Sequence, residues 1–285
     1  MELSEEAASM PSQLARFTDR CVDLSQNAVI GKPASAIKKG DGGYADWVII
    51  SIHCLREYLN QPYRRLLDIL YEMPGIAAKL GLSVDQLPDF TTVCTRKQDL
   101  KMRIWRVLLR LSVSLHELGD VQAIDATGFK RHQASRHYVL RVGYNFDDIK
   151  TTALVDCDTS VILDIHCSMK QPHDTHVGRQ VLMRNLAQLT TITADKSYDW
   201  DVLRHELRDI GIRPVIKHRE FYALDKAHNA RHDENVYHRR SIVEAIFFAL
   251  KHRFGETLRA RTWFGQFREL VLKAAVRNIE QAVKL

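Results

Sequence analysis

Residues 236–255 read VYHRRSIVEAIFFALKHRFG, a run whose apolar spacing is helical. At about 100° per residue, Tyr237, Arg240, Glu244 and Lys251 fall within roughly 60° of one helix face. Ile242, Ile246, Ala249 and Leu250 fall on the opposite side. One face is therefore free to bury in a core while the other presents a phenol, a guanidinium, a carboxylate and an ammonium together. A single acid flanked by cations suits phosphate bound through a metal: the carboxylate holds the metal and the cations hold phosphate oxygens.

Working outward, two aspartates stand in similar surroundings. Asp125 lies in VQAIDATGF (121–129) and Asp195 in TITADKSYD (191–199), each read as a short strand ending in Asp and then a turn. The intervals are 70 residues from Asp125 to Asp195 and 49 from Asp195 to Glu244. This set resembles the DDE transposases of prokaryotic insertion sequences, in the short-insertion branch that carries a Y-R-E-K signature. The resemblance covers roughly residues 116–285, and residues 1–115 match only loosely, as a helical leader.

The secondary-structure pattern gives an all-helical N-terminal domain over residues 1–115 and a ribonuclease H-like α/β domain over 116–285. Helices are expected at about 12–24, from 47 to about 72 in two stretches, and at 101–119, with a flexible stretch near 27–46 rich in Gly, Pro, Ser and Lys. Residues 75–98, GIAAKLGLSVDQLPDFTTVCTRKQ, resemble a helix-turn-helix, with Ser83 as a cap; a plain packing hairpin fits equally. Beyond His116 the period changes to strands at 121–125, 137–144, 151–155 and 160–167. A helix from Asp174, a strand at 191–195, a helix at 200–210 and a strand at 214–217 follow, then the Glu244 helix and a C-terminal helix from about 264. The expected architecture is a mixed five-stranded sheet with flanking helices.

The net charge of +6 is unevenly spread. Residues 213–285 hold 15 basic against 8 acidic side chains, or +7, and the remainder 26 against 27, or −1. A local basic excess of this kind is the footprint of a polyanion partner. The five cysteines share no metal-type spacing and read as reduced thiols of a cytosolic protein. The start, MELSEEAASMPSQL, does not read as a secretory signal, and no apolar run approaches the ~18 residues that span a bilayer.

The resemblance implies a chemistry. Asp125, Asp195 and Glu244 are expected to hold two Mg²⁺ ions, with Mn²⁺ as a substitute, for phosphodiester cleavage and strand transfer. Tyr237, Arg240 and Lys251 are expected to hold DNA phosphates, with Arg253, Arg259 and Arg261 continuing the tract. The implied partners are double-stranded DNA, as element ends and target, and a second copy of the chain. The implied setting is the prokaryotic cytoplasm, at the nucleoid. Two alternatives share the fold: a metal-dependent nuclease without strand transfer, and a catalytically silent DNA-binding descendant. Rival clusters have plainer readings. Asp156-Cys157-Asp158 reads as a hairpin turn, Ser197 lacks the G-x-S-x-G surroundings of a nucleophile, and His166, His173, Asp174 and His176 read as a strand-to-helix loop rather than a zinc site.

Overall fold

The structure is a computed structural model that describes residues 11–29, 31, 35–37, 43–131, 141, 148–170 and 172–284. The strand expected at 137–144 lies outside the described residues apart from Arg141, as do parts of the stretch 27–46. The chain divides into two compact units, Met1–Leu100 with Ile279–Leu285, and Lys101–Asn278.

The first unit is helical: α1 (Gln13–Ala28), α2 (Asp46–Leu59), α3 (Tyr63–Tyr71), α4 (Pro74–Lys79) and α5 (Phe90–Asp99). Ser12 starts α1 by accepting the Ala15 N–H at 3.2 Å. α2 is buried on every side from Trp47 to Glu57, as a helix at the centre of a bundle must be. α3 ends before Pro74, and Pro74 itself opens α4 at the position where its missing N–H costs nothing. Residues 75–98 do not form a tight helix-turn-helix. Only a 3₁₀ turn at Val84–Gln86 intervenes between the six-residue α4 and α5, and Pro88 with the Asp89 cap delays the restart to Phe90. A helix-turn-helix joins its helices by about three to four residues.

The second unit begins with α6 (Met102–Val113), then β1 (Val121–Arg131), β2 (Ile149–Asp156), β3 (Ile162–Ser168), α7 (Asp174–Met183), β4 (Thr191–Ala194), α8 (Asp201–Asp209) and β5 (Arg213–Ile216). It continues with α9 (Ala223–Asn229), α10 (Glu234–His238), α11 (Ser241–Phe254), β6 (Thr257–Leu258) and α12 (Trp263–Lys284), whose residues from Ile279 on group with the first unit. The sheet order is β3-β2-β1-β4-β5, with β6 beside the far end of β1. β1, β2 and β3 are antiparallel, while β4 and β5 run parallel to β1. This is the ribonuclease H-like arrangement. α6, grouped by its position in the sequence with the N-terminal helices, packs its buried stripe of Trp105, Leu108, Leu109 and Val113 on β3 instead. Asn278 ties it there, donating to Ser112 Oγ at 3.1 Å and Ile162 O at 2.9 Å and accepting the Ile162 N–H at 3.0 Å.

One core layer joins Ile124, Leu154 and Ile192 of the sheet to Val177, Val181 and Leu182 of α7 and Leu203 and Leu207 of α8. Strand alternation then turns Asp125 and Thr127 to the other face, toward α11. No described helix is long and apolar enough to cross a membrane.

Candidate metal centre

β1 runs on to Arg131 rather than stopping at Asp125, because β2 pairs with it as far as Phe129 and β6 with Lys130 and Arg131. The β1–β4 ladder, however, ends at Ile124–Ala194. Asp125 is thus the first residue of β1 past the point where β4 leaves, and Asp195 is the first residue after β4. Both acids therefore stand at the carboxyl ends of adjacent parallel strands, where open α/β sheets bind ligands.

Each acid is held locally. Asp125 Oδ1 accepts the N–H of Ala126 at 2.8 Å. Asp195 caps the turn Lys196–Tyr198, with Oδ1 accepting the Ser197 N–H at 2.6 Å and also the Ser197 hydroxyl. Glu244 projects from the first turn of α11, is largely exposed, and has Arg240 Nη1 3.5 Å away. Burial pushes the Asp125 carboxyl up to about 6, and the charges of Asp195, Asp174 and Glu244 push in the same direction against the Ala126 hydrogen bond.

The expected single helix at 236–255 is broken. α10 ends at His238 and α11 starts at Ser241, with bonds from Arg240 N to Tyr237 O (3.2 Å) and Val243 N to Arg240 O (3.1 Å) between them. These three-residue bonds tighten the turn to about 120° per residue, so Tyr237 loses the phase it would share with Glu244 on a straight α-helix. The Tyr237 side chain is buried, at 7% exposure. Lys217 Nζ lies 4.4 Å and Arg240 Cζ 5.3 Å from its ring centroid, so the ring supports two cations.

Lys251 comes from the last turn of α11 back to β1. Its Nζ donates to Thr127 Oγ1 at 2.9 Å and stands 5.2 Å from the Phe129 ring centroid. Thr127 is two residues from Asp125 on the same strand face, so Lys251 returns to the strand that carries that carboxyl. Arg253 lies over the Phe254 ring at 5.3 Å, while Arg259 and Arg261 are exposed beyond β6. β6 itself pairs with the end of β1, so this tract follows the strand that carries Asp125.

The rival acids are engaged elsewhere. Buried Asp156 accepts from Gly119 N (2.9 Å), Asp158 N (3.1 Å), Thr159 N (2.8 Å) and Thr159 Oγ1 (2.8 Å), a hairpin-turn role. Asp164 is taken by Arg184, Arg106 and Asn185. Among the described residues, Asp199, Asp201 and His218 alone bring three donor atoms within 4.8 Å of one another. That group already holds a cation: Arg204 Nη1 lies 2.6 Å from Asp199 and 3.2 Å from Asp201. Asp125, Asp195 and Glu244 do not close to that spacing. Their donor set is oxygen only, and Asp125, raised first by burial and then by the neighbouring acid charges, is a carboxyl whose ionised form a hard divalent cation would stabilise. The residues fit such an ion.

Sequence reasoning missed Asp174, whose charge also reaches Asp125. It is the first residue of α7, with His173 rather than Asp174 serving as the cap.

Residues 116–279 match the family described as the transposase DDE domain. The chain is similar to a piggyBac transposase, solved by cryo-EM as a synaptic complex with hairpin DNA, with a TM-score of 0.50 at 10% identity over 96% of this chain and 75% of that one. At this identity the likeness shows the fold alone. A Mos1 transposase in a paired-end complex with left transposon end gives a TM-score of 0.25 at 11% identity over 79% of this chain and 81% of that one, and carries no argument. No curated protein matches the sequence.

Proposed function

The chain belongs to the transposase DDE domain family, and from that premise we propose that it cuts the ends of a DNA element and joins the resulting 3′-hydroxyls to target DNA. The observation that supports the reading is the position of Asp125 and Asp195 at the carboxyl ends of adjacent parallel strands, with Lys251 of α11 bonded to Thr127 of β1 and the Glu244 charge acting on Asp125. The element would be a prokaryotic insertion sequence of the Y-R-E-K type, acting in the cytoplasm at the nucleoid. Two DNA ends call for at least two copies of the chain.

Asp125, Asp195 and Glu244 would hold two divalent ions, Mg²⁺ or Mn²⁺. When bound, such ions supply an activated oxygen nucleophile and neutralise charge on the leaving oxygen. The protein's own part is positioning. Asp125 has a fixed backbone partner in Ala126, and Asp195 is fixed by the Ser197 turn, so neither carboxylate has to reorganise. Lys251, pinned by Thr127 and the Phe129 ring, places a point charge where a phosphate flanking the cut would lie. Arg240 offers a planar fork beside Glu244, steadied by Tyr237. Arg253, Arg259 and Arg261 extend phosphate contact along the DNA.

The test uses purified chain, DNA carrying the element's inverted ends, and a target duplex. Asp125→Ala, Asp195→Ala and Glu244→Gln are each expected to abolish cleavage while end binding persists. Activity within a fewfold of the parent removes that residue from the assignment, and full activity in excess EDTA removes the metal scheme. Cleavage without joining would move the reading to a nuclease of the same fold.

A further inference from the structure

Two side chains beside the carboxylates have no part in the scheme above. Asp174 is partly buried at the start of α7, with Lys150 Nζ 2.8 Å from its Oδ1. That contact is a charge pairing without hydrogen-bond alignment, since the same buried oxygen makes no hydrogen bond among the described residues. Tyr198 is wholly buried, and its hydroxyl has no hydrogen-bond partner among the described residues. Buried hydroxyls are nearly always bonded, so an open one next to acids points to a partner that the chain alone does not supply.

Gly178 shows how closely these groups converge. A Cβ placed there would stand 2.5 Å from Tyr198 Cε1 and 3.7 Å from Ile124 Cδ1. Gly178 is one helical turn after Asp174. Ile124 directly precedes Asp125, and Tyr198 closes the turn capped by Asp195, its N–H donating to Asp195 O at 3.2 Å. That contact seats α7 on Ile124 and Tyr198, the residue before Asp125 and the residue that closes the Asp195 turn. The surroundings of the Tyr198 hydroxyl agree: after burial, the charges of Asp125, Asp174 and Asp195 are what hold its proton on. Lys150 then occupies the place of a cation beside Asp174.

We infer that Asp174 is a fourth carboxylate of the metal centre, and that the Tyr198 hydroxyl donates a hydrogen bond into the hydration shell of the ion held there. This rests on the two-metal reading of Asp125, Asp195 and Glu244. Outer partners of this kind orient the ligands and tune affinity, and their loss costs about 10- to 100-fold in metal binding.

The test is binding of Mn²⁺ alone to the EDTA-stripped full chain, read from the paramagnetic resonance of free Mn²⁺. Asp174→Asn is expected to weaken the Mn²⁺ affinity about tenfold, and the shape-conserving Tyr198→Phe by a comparable factor. Both losses should persist in about 1 M KCl, where exposed charges more than about 3 Å apart are largely screened. Asp125→Asn serves as the reference. Loss of binding there, with Asp174→Asn and Tyr198→Phe within twofold of the parent, overturns this inference and leaves the metal centre standing. A deficit that disappears in high salt also overturns it, since a remote charge would behave so. Unchanged binding in Asp125→Asn removes the metal centre itself.

Discussion

Replacing Asp125 by Asn should make the metal-free protein more stable, not less. Burial first, and then the charges of Asp195, Asp174 and Glu244, lift this carboxyl from 3.8 to about 6. A shift of about two units corresponds to about 3 kcal/mol at 1.36 kcal/mol per unit, and partial exposure of the side chain reduces it to about 2 kcal/mol. The sign follows from linkage. The folded state binds this proton more tightly than the unfolded chain, so the penalty is absent below about pH 4, grows between about 4 and 6, and is complete above. Asn has the same shape, carries no charge and keeps an oxygen for the Ala126 N–H. At pH 7.5 in EDTA the variant should melt roughly 4–8 °C above the parent, given about 2–4 °C per kcal/mol for a unit of this size. At pH 4 the gap should close. Added Mn²⁺ should raise the parent and leave the variant nearly unmoved, because only a chain that binds the ion gains from it. Equal melting temperatures at pH 7.5, or a gap that persists at pH 4, would refute the picture of a carboxyl raised by burial and by neighbouring charge.

Arg204→Gln should destabilise the second unit by about 3–5 kcal/mol, because the buried guanidinium neutralises Asp199 and also donates to Ile216 O at 3.1 Å; urea unfolding reads it, and a loss below about 1 kcal/mol contradicts it. Gly178→Ala should lower stability although Ala is the better helix former. The Cβ would meet the Tyr198 ring at 2.5 Å, and overpacking of about 1–3 kcal/mol outweighs a propensity gain of about 1; a higher melting temperature would show that the ring yields freely. Replacing Arg253, Arg259 and Arg261 together by Ala should flatten the slope of log affinity against log salt by up to ~3 units for end DNA, and an unchanged slope would place the DNA elsewhere.

What the sequence showed and what it hid divide along the range of the interactions. The order of strands and helices from 121 onward was legible because each element has its own period, 2 or 3.6, and its own turn residues. The length of β1 was not, since its continuation from Ala126 to Arg131 is fixed by ladders to β2 and β6, strands distant in sequence. The break at Arg239-Arg240 was hidden for a related reason. Both are good helix formers, so periodicity runs straight through them, while Arg239 is drawn to Asp158 of the β2–β3 turn and Tyr237 is drawn into the core. α6 announced itself as amphipathic, yet a stripe of apolar residues does not say which surface it will cover, and here it covers β3. Asp174 left one local mark. A glycine inside an amphipathic helix, at a cost of about 1 kcal/mol relative to Ala, is retained where a Cβ has no room. Gly178 is such a glycine in THVGRQV, and what it admits is the ring of Tyr198. Position 178 lies one turn beyond Asp174, the one acid of the HDTH run, so that contact sets the height of this acid along β1. The glycine, rather than any pattern among the acids, is the sequence feature that sets how α7 lies against the strand carrying Asp125.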